Sequence, residues 1–434
     1  MRAIVKRSVI DGSIDSPPSK SYTHRAIVCG LLSTGTTLIR NPLFCDDTEV
    51  TLRLSEMMGA KIDQGKDLKI SGPDELQAPA SEMDCRGSGT TLRIFTALSS
   101  LANGRCVLTG DETLRRRPIE ALLAALRQLG IDADSIGANG RPPVVVHGGE
   151  IIGGVVKIPG NVTSQYITGL LYACSRAPND TKIEITTVLE SRPYVEMTLE
   201  VMEEFGVLAE PSDDWNHINI AGDQEYQSSE YRVQGDYSSA AFLMAAGGLT
   251  GRANVKGLGV DTVQGDADIA PILQGMGSSV ELTGNGLSIS KGELFAVDID
   301  VSNTPDLAPV LAVLATQAKG ITKLFNGTRL RLKESDRIAT TTLELRKMGA
   351  SIQEYEDGIT ISGPTPLRGA VVNPHDDHRV AMACMVAGLV ADGTTVVENA
   401  ECITKSYPNF IKDIQSIGAQ IELDHNNSTR GGKK

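Results

Sequence analysis

The sequence predicts an α/β protein of two domains built from six repeated βαβαββ units, three per domain. Three observations carry this. A segment of helical period that ends in an apolar–Gly pair and runs into a short strand recurs six times. Each unit also holds a second helix, small and apolar, with a polar start. The sixth unit stops one strand short, and the chain opens on an orphan strand.

The recurring pairs are Met58-Gly59, Leu129-Gly130, Phe205-Gly206, Met276-Gly277, Met348-Gly349 and Ile417-Gly418, whose glycines lie 71, 76, 71, 72 and 69 residues apart. Glycine just past a helix suits the left-handed position that ends it. After five of the six comes a second strand and a turn, as in Ile70-Ser71-Gly72 and Ile361-Ser362-Gly363. The small apolar helices start at Ser19-Lys20-Ser21, Gly87-Ser88-Gly89-Thr90, Thr163-Ser164-Gln165, Tyr237-Ser238-Ser239, Thr304-Pro305-Asp306 and Asp377-His378-Arg379. The last unit ends after Ile421-Glu422-Leu423, and Ala3-Ile4-Val5-Lys6-Arg7 would complete it. That closure gives a central domain of 14–234, an outer domain of 1–13 plus 235–424, and a polar tail, 425–434, expected to be disordered. Crossings at Asp15-Ser16-Pro17-Pro18 and Gln234-Gly235-Asp236 make a hinge, so a cleft that closes on ligand is expected.

Composition narrows the partners. With 41 basic against 54 acidic residues the net charge is −13, which argues against nucleic acid or an anionic membrane. Seven cysteines without a CxxC pair suggest buried thiols in a cytoplasmic protein. The amino terminus lacks the apolar core of a signal peptide, and the longest apolar run, Val380 to Ala391, is too short to span a bilayer. Any anion site must therefore gather its cations locally. Lys20, Arg25, Arg93, Arg117, Lys333, Arg337, Arg379 and Lys405 do so near helix starts, where unpaired N–H groups favour phosphate and carboxylate. In Leu330-Arg331-Leu332-Lys333-Glu334-Ser335-Asp336-Arg337, Ser335 or Asp336 can cap the helix that follows.

The ordered motifs Pro18-Ser19-Lys20-Ser21-Tyr22-Thr23-His24-Arg25, Gly87-Ser88-Gly89-Thr90-Thr91-Leu92-Arg93, Arg117-Pro118, Lys333-Glu334-Ser335-Asp336-Arg337, Asp377-His378-Arg379 and Lys405-Ser406-Tyr407-Pro408 closely resemble the enolpyruvyl transferase family, and within it the EPSP synthases. The resemblance covers about residues 1–424 and implies a two-domain inverse α/β barrel-like fold. It implies transfer of the enolpyruvyl group of phosphoenolpyruvate to the 5-hydroxyl of shikimate 3-phosphate, with release of phosphate. Carried over position by position, Lys20 touches both substrates and joins Asp306 and Glu334 as catalytic groups. Ser21, Arg25, Thr163, Ser164, Gln165, Ser191, Asp306 and Lys333 hold shikimate 3-phosphate. Gly89, Arg117, Gln165, Arg337, Arg379 and Lys405 hold phosphoenolpyruvate. His24, Gly87, Ile94 and Arg329 depart from the family pattern, which bears on substrate affinity and not on reaction type.

The chemistry accounts for these residue types. The hydroxyl attacks C2 only as C3 is protonated, so the reaction needs a base, an acid and cations for carboxylate and phosphate. Asp306 is assigned the hydroxyl, Glu334 the C3 proton, and Lys20 the hydroxyl or the leaving phosphate. Phosphoenolpyruvate is already activated, so no metal or organic cofactor is expected. His375 and His378 read as helix-start residues rather than metal ligands. A sister enzyme acting on UDP-N-acetylglucosamine is the nearest rival, but it reads Lys-Asn where this chain has Lys20-Ser21, and the loop Asp111 to Arg117 has no cysteine. A non-catalytic sensor of phosphorylated metabolites would not need both Asp306 and Glu334. A monomer is expected.

Overall fold

A computed structural model describes residues 1–149 and 151–425. Of the tail predicted to be disordered, 426–434 lies outside the described residues. The chain divides into two compact units, a continuous one, Pro18–Gln234, and a split one that joins Met1–Pro17 to the chain from Gly235 onward. The amino-terminal boundary therefore falls after Pro17 and not after residue 13. The reason is a strand: Asp11–Asp15 pairs in parallel with Arg252–Lys256, with Ile14 opposite Val255.

Among the described residues there are six four-stranded sheets of one topology. In the second repeat the spatial order is Met83–Asp84, Gly104–Thr109, Val144–Gly148, Asp132–Ser135, with the first pair parallel and the other two antiparallel. A parallel pair needs a crossover, and the helix Gly89–Leu98 supplies it. The helix Glu120–Gln128 then carries the chain past the sheet to a hairpin whose last strand slots into the middle.

The closing strands come from far away in sequence. Arg2–Lys6 lies between Thr394–Val397 and Gln420–Asp424, antiparallel to both, and completes the sixth sheet. The first sheet is completed from the other direction, by Glu230–Arg232 pairing in parallel with Thr36–Arg40. All six repeat glycines take the left-handed conformation, with φ from +79° to +116°.

Two kinds of helix result. The helix Tyr237–Thr250 is buried from Tyr237 through Leu249, all the way round, which explains its lack of an amphipathic pattern. Glu120–Gln128 buries only Leu122, Leu123, Ala125 and Leu126 and turns its other side to water. Each unit has its own apolar core, with Tyr22, Phe95, Tyr166 and Phe205 in the continuous one and Phe242, Tyr407 and Phe410 in the split one. A fully buried side chain of this size contributes about 1.5–3 kcal/mol. Helices inside and half-exposed strands outside make each unit an inverse α/β barrel-like bundle. Among the described residues no helix is long and apolar enough to cross a membrane. All seven cysteines are buried and free, and burial pushes the Cys45 thiol up to about 11.

Candidate active site

In the continuous unit the functional side chains stand at the starts of three buried helices. Ser19 caps the helix Lys20–Leu32 by accepting from Tyr22 N, which leaves Lys20 as its first residue. The Lys20 ammonium donates to Asp47 Oδ2 at 2.7 Å, both groups being largely buried. Arg25, one turn further, is 3% exposed and spends its donors within the unit: Nε on Thr198 Oγ1 (2.9 Å), Nη1 on the Ser21 carbonyl (2.9 Å) and Nη2 on the Tyr194 carbonyl. Its visible role is to tie the first helix to the helix Arg192–Glu204. Ser191, which precedes that helix, is held at φ +53°.

The second helix start is a close-packed cation site. A Cβ on Gly89 would meet Arg93 Nη1 at 2.8 Å and Arg117 Nη1 at 2.9 Å, so only glycine lets both guanidinium groups lie against the helix amino end. Arg93 Nη1 donates to Gln165 Oε1, and Gln165 Nε2 donates to Thr90 Oγ1 at 2.8 Å. Thr163 caps the third helix, Ser164–Cys174, by accepting from Gln165 N. The preceding Arg86 sits at φ +47°, strain of the kind that collects at functional loops. The structure thus brings Gly89, Arg117 and Gln165 together and adds Arg93, which the sequence reading counted among the cations without giving it a role.

His24 links the first two starts. Burial, with Lys20 and Arg25 nearby, holds its imidazole well below the usual value, so it is neutral. Its Nδ1 is 2.7 Å from Thr51 Oγ1, Thr51 is 2.7 Å from Thr91 Oγ1, and Thr91 is 2.7 Å from Ser88 Oγ, the cap of the Gly89 helix. The departure from the family pattern at His24 therefore heads a hydrogen-bonded chain. Ile94 is buried in the core, and Arg329 holds the Ser302 carbonyl at 2.6 Å.

The split unit carries an ion network. Asp336 is the cap, accepting from Ala339 N at 3.0 Å, and Arg337 opens the helix Arg337–Lys347. The Arg337 guanidinium donates to Asp306 Oδ1 (2.7 Å), Glu334 Oε2 (2.8 Å) and Asp377 Oδ2 (2.8 Å). Arg379 Nη2 reaches Asp306 Oδ2 at 3.3 Å, and Lys333 Nζ lies 3.9 Å from Asp306 Oδ1. Lys405 Nζ donates to the Asp376 carbonyl at 2.9 Å, in a turn where His375 and Asp376 take φ +52° and +60°.

Electrostatics divides the labour. Burial pushes Asp306 up, but Arg337, Arg379 and Lys333 outweigh it and hold the carboxyl well below the usual range. It is an anion at neutral pH. Burial lowers Lys333 to about 8, with Asp306 opposing and Arg337 assisting, which puts this amine within reach of proton exchange near neutrality.

Four carboxylates here were not assigned roles from sequence: Asp47, Asp266, Glu344 and Asp377. Asp377 caps the helix His378–Gly388 by accepting from Arg379 N. Glu344 is fully buried and holds the Asn373 N–H and Lys347, with His375 Nε2 at 3.3 Å. The short motif spacing gave no sign of these partners except at Asp377, which sits inside a motif.

Two units of one repeat, each presenting cations and buried carboxylates at helix starts, define an α/β enzyme class that handles small phosphorylated anions. Residues 4–414 match the family EPSP synthase (3-phosphoshikimate 1-carboxyvinyltransferase). Proteins named 3-phosphoshikimate 1-carboxyvinyltransferase from Methanococcus maripaludis and Methanocorpusculum labreanum are 42% and 44% identical over 428 and 424 residues, covering 98% and 97% of this chain and 100% and 99% of theirs. A solved EPSP synthase from Acinetobacter baumannii aligns with a TM-score of 0.82 at 28% identity, over 97% of this chain and 100% of its own. The chain belongs to the EPSP synthase family, whose members transfer the enolpyruvyl group of phosphoenolpyruvate to shikimate 3-phosphate.

Proposed function

We propose that this chain carries out its family's reaction at the 5-hydroxyl of shikimate 3-phosphate with the following roles. Asp306, kept ionised, accepts the hydroxyl proton as O5 bonds to C2 of phosphoenolpyruvate. Glu334, oriented by Arg337, delivers the proton that turns C3 into a methyl group. Because the product regains its methylene, a proton leaves C3 again as the C2–O bond to phosphate breaks, and Glu334, deprotonated by the first step, takes it up. Lys20 assists at the hydroxyl or at the departing phosphate. Ser21, Arg25, Thr163, Ser164, Gln165, Ser191 and Lys333 serve shikimate 3-phosphate, while Gly89, Arg117, Gln165, Arg337, Arg379 and Lys405 serve phosphoenolpyruvate. The proton-handling carboxylates belong to the split unit and Lys20 to the continuous one. The protein works as a cytoplasmic monomer.

The observation that carries this reading is the Asp306 network, a mostly covered carboxylate charged beside an amine poised near neutrality and a second carboxylate fixed by the same arginine. Phosphate release from phosphoenolpyruvate, assayed with shikimate 3-phosphate and separately with UDP-N-acetylglucosamine, tests it. Release with the first alone is expected; release with the second alone replaces the acceptor, and release with neither replaces the reaction by binding. Sedimentation at micromolar concentration tests the monomer.

A further inference from the structure

Beside the Asp306 network stands a carboxylate to which no role has been given. Asp266 lies in the short turn Gly265–Asp268 and is 2% exposed. Its Oδ2 accepts the Ser238 hydroxyl. Ser238 is in the first turn of the helix Tyr237–Thr250, and its carbonyl accepts Arg379 Nη1 at 2.9 Å. The other terminal nitrogen of Arg379 is the one that reaches Asp306. Gln264 fixes the turn to the same helix start, donating to the Gly235 carbonyl at 2.8 Å and accepting from Tyr237 N at 3.1 Å.

We propose that Asp266 is a positioning residue for Arg379: through Ser238 it seats the guanidinium, and its own carboxylate competes with an incoming anion for that charge. The inference rests on the reading of Arg379 as a phosphoenolpyruvate ligand. The charged groups facing Asp266 are Asp306, Arg379 and Asp236, with the Ser238 hydroxyl. Burial and then the Asp306 charge push its carboxyl up to about 7, against the Ser238 hydrogen bond and Arg379. A protonated Asp266 keeps Ser238 without drawing on Arg379. An ionised one adds a negative charge behind the guanidinium, so affinity for a further anion falls as pH rises through neutrality.

The test is the pH dependence of KM for each substrate in the wild type, Asp266→Asn, Ser238→Ala and Arg379→Lys. Asp266→Asn is expected to flatten the rise in phosphoenolpyruvate KM above neutrality and to bind roughly tenfold tighter than wild type on the alkaline side, a shift of about one unit's worth of interaction. Its effect on KM for shikimate 3-phosphate, which is not assigned to Arg379, should be smaller than its effect on KM for phosphoenolpyruvate. Ser238→Ala removes the bond that lowers the Asp266 carboxyl and should move the midpoint of the rise to higher pH, an effect a merely structural serine would not have. The ionisation of phosphoenolpyruvate itself is common to all variants and cancels. If Arg379→Lys weakens phosphoenolpyruvate while Asp266→Asn keeps the wild-type pH profile, the inference is overturned and the reading of Arg379 stands. If Arg379→Lys leaves phosphoenolpyruvate binding unchanged, both fall.

Discussion

Arg337 and Asp377 form a buried ion pair, Nε to Oδ2 at 2.8 Å, in which the arginine is 2% exposed and the aspartate not at all. The same Asp377 oxygen accepts the Ser335 hydroxyl at 3.1 Å, and its other oxygen caps the helix that begins at His378. One side chain thus fixes the starts of two helices relative to each other. Removing it should cost more than a cap alone. Asp377→Ala is expected to destabilise by about 3–5 kcal/mol, the penalty for breaking a buried pair from one side. Asp377→Asn keeps a good cap and should lose less, by about 1 kcal/mol or more. Urea midpoints at constant m-value measure both. Equal losses would mean that the charge, and not the cap, carries the whole effect.

Glu334 offers a cleaner separation of chemistry from structure. Arg337 Nη2 donates to its Oε2, and a glutamine can accept that bond in the same place. Glu334→Gln should therefore lower kcat by about 10²–10⁴, the usual contribution of a positioned proton donor, with both KM values little changed. Steady-state kinetics suffices, and full turnover would remove Glu334 from proton transfer.

What could be read from sequence, and what could not, follows from the range of each signal. The repeat was legible because each Gly at a helix end meets a local backbone demand, and because Arg2–Lys6 is an alternating apolar strand. The cations were legible because they sit in short motifs at helix starts. The strand Asp11–Asp15 was not, since it is a short edge strand with Ile14 as its one apolar side chain, and that is why the boundary was placed four residues early. Glu230–Arg232 is too short to show a period. Asp47, Asp266 and Glu344 were missed because their partners are met only in three dimensions. Glu344 in particular looks like a solvent residue on an amphipathic helix, yet it anchors the strained turn that Lys405 holds from the other side.

The Lys333 amine gives a pH prediction of definite sign. Its folded value of about 8 lies below the ordinary value of about 10.4. Between these two pH values the unfolded chain binds more protons than the folded one, so this group makes stability rise with pH across that window and contributes no slope below it. The difference in urea midpoint between wild type and Lys333→Met should therefore change from about pH 8 to about pH 10.4 and be flat from about pH 6 to 7. Asp306 acts at the opposite end. Its depressed carboxyl stabilises the fold above about pH 3.9, and that contribution is lost as pH falls through the folded value. Asp306→Asn also removes the attraction that opposes burial at Lys333, so the amine should titrate below its present value, by the pH profile of kcat or by direct titration.

Gly89 ties a single hydrogen atom to anion binding. It opens a buried helix, so alanine there suits the backbone and should not weaken the fold. The added methyl group would stand 2.8 Å from Arg93 Nη1 and 2.9 Å from Arg117 Nη1. Both are the far ends of flexible side chains, so the guanidinium groups yield and the backbone does not. Arg93 cannot retreat freely, because its Nη1 is bonded to Gln165, which is bonded in turn to Thr90 on the same helix. The displacement should therefore reach Arg117, whose charge the anion needs. Gly89→Ala is expected to leave the thermal midpoint unchanged and to raise KM for phosphoenolpyruvate about tenfold or more, a loss of about 1.4 kcal/mol, while KM for shikimate 3-phosphate stays put. A second change, Arg117→Lys, separates the causes: if the methyl group acts through Arg117, adding Gly89→Ala to that background should cost much less than it does alone, whereas additive losses would place its effect elsewhere.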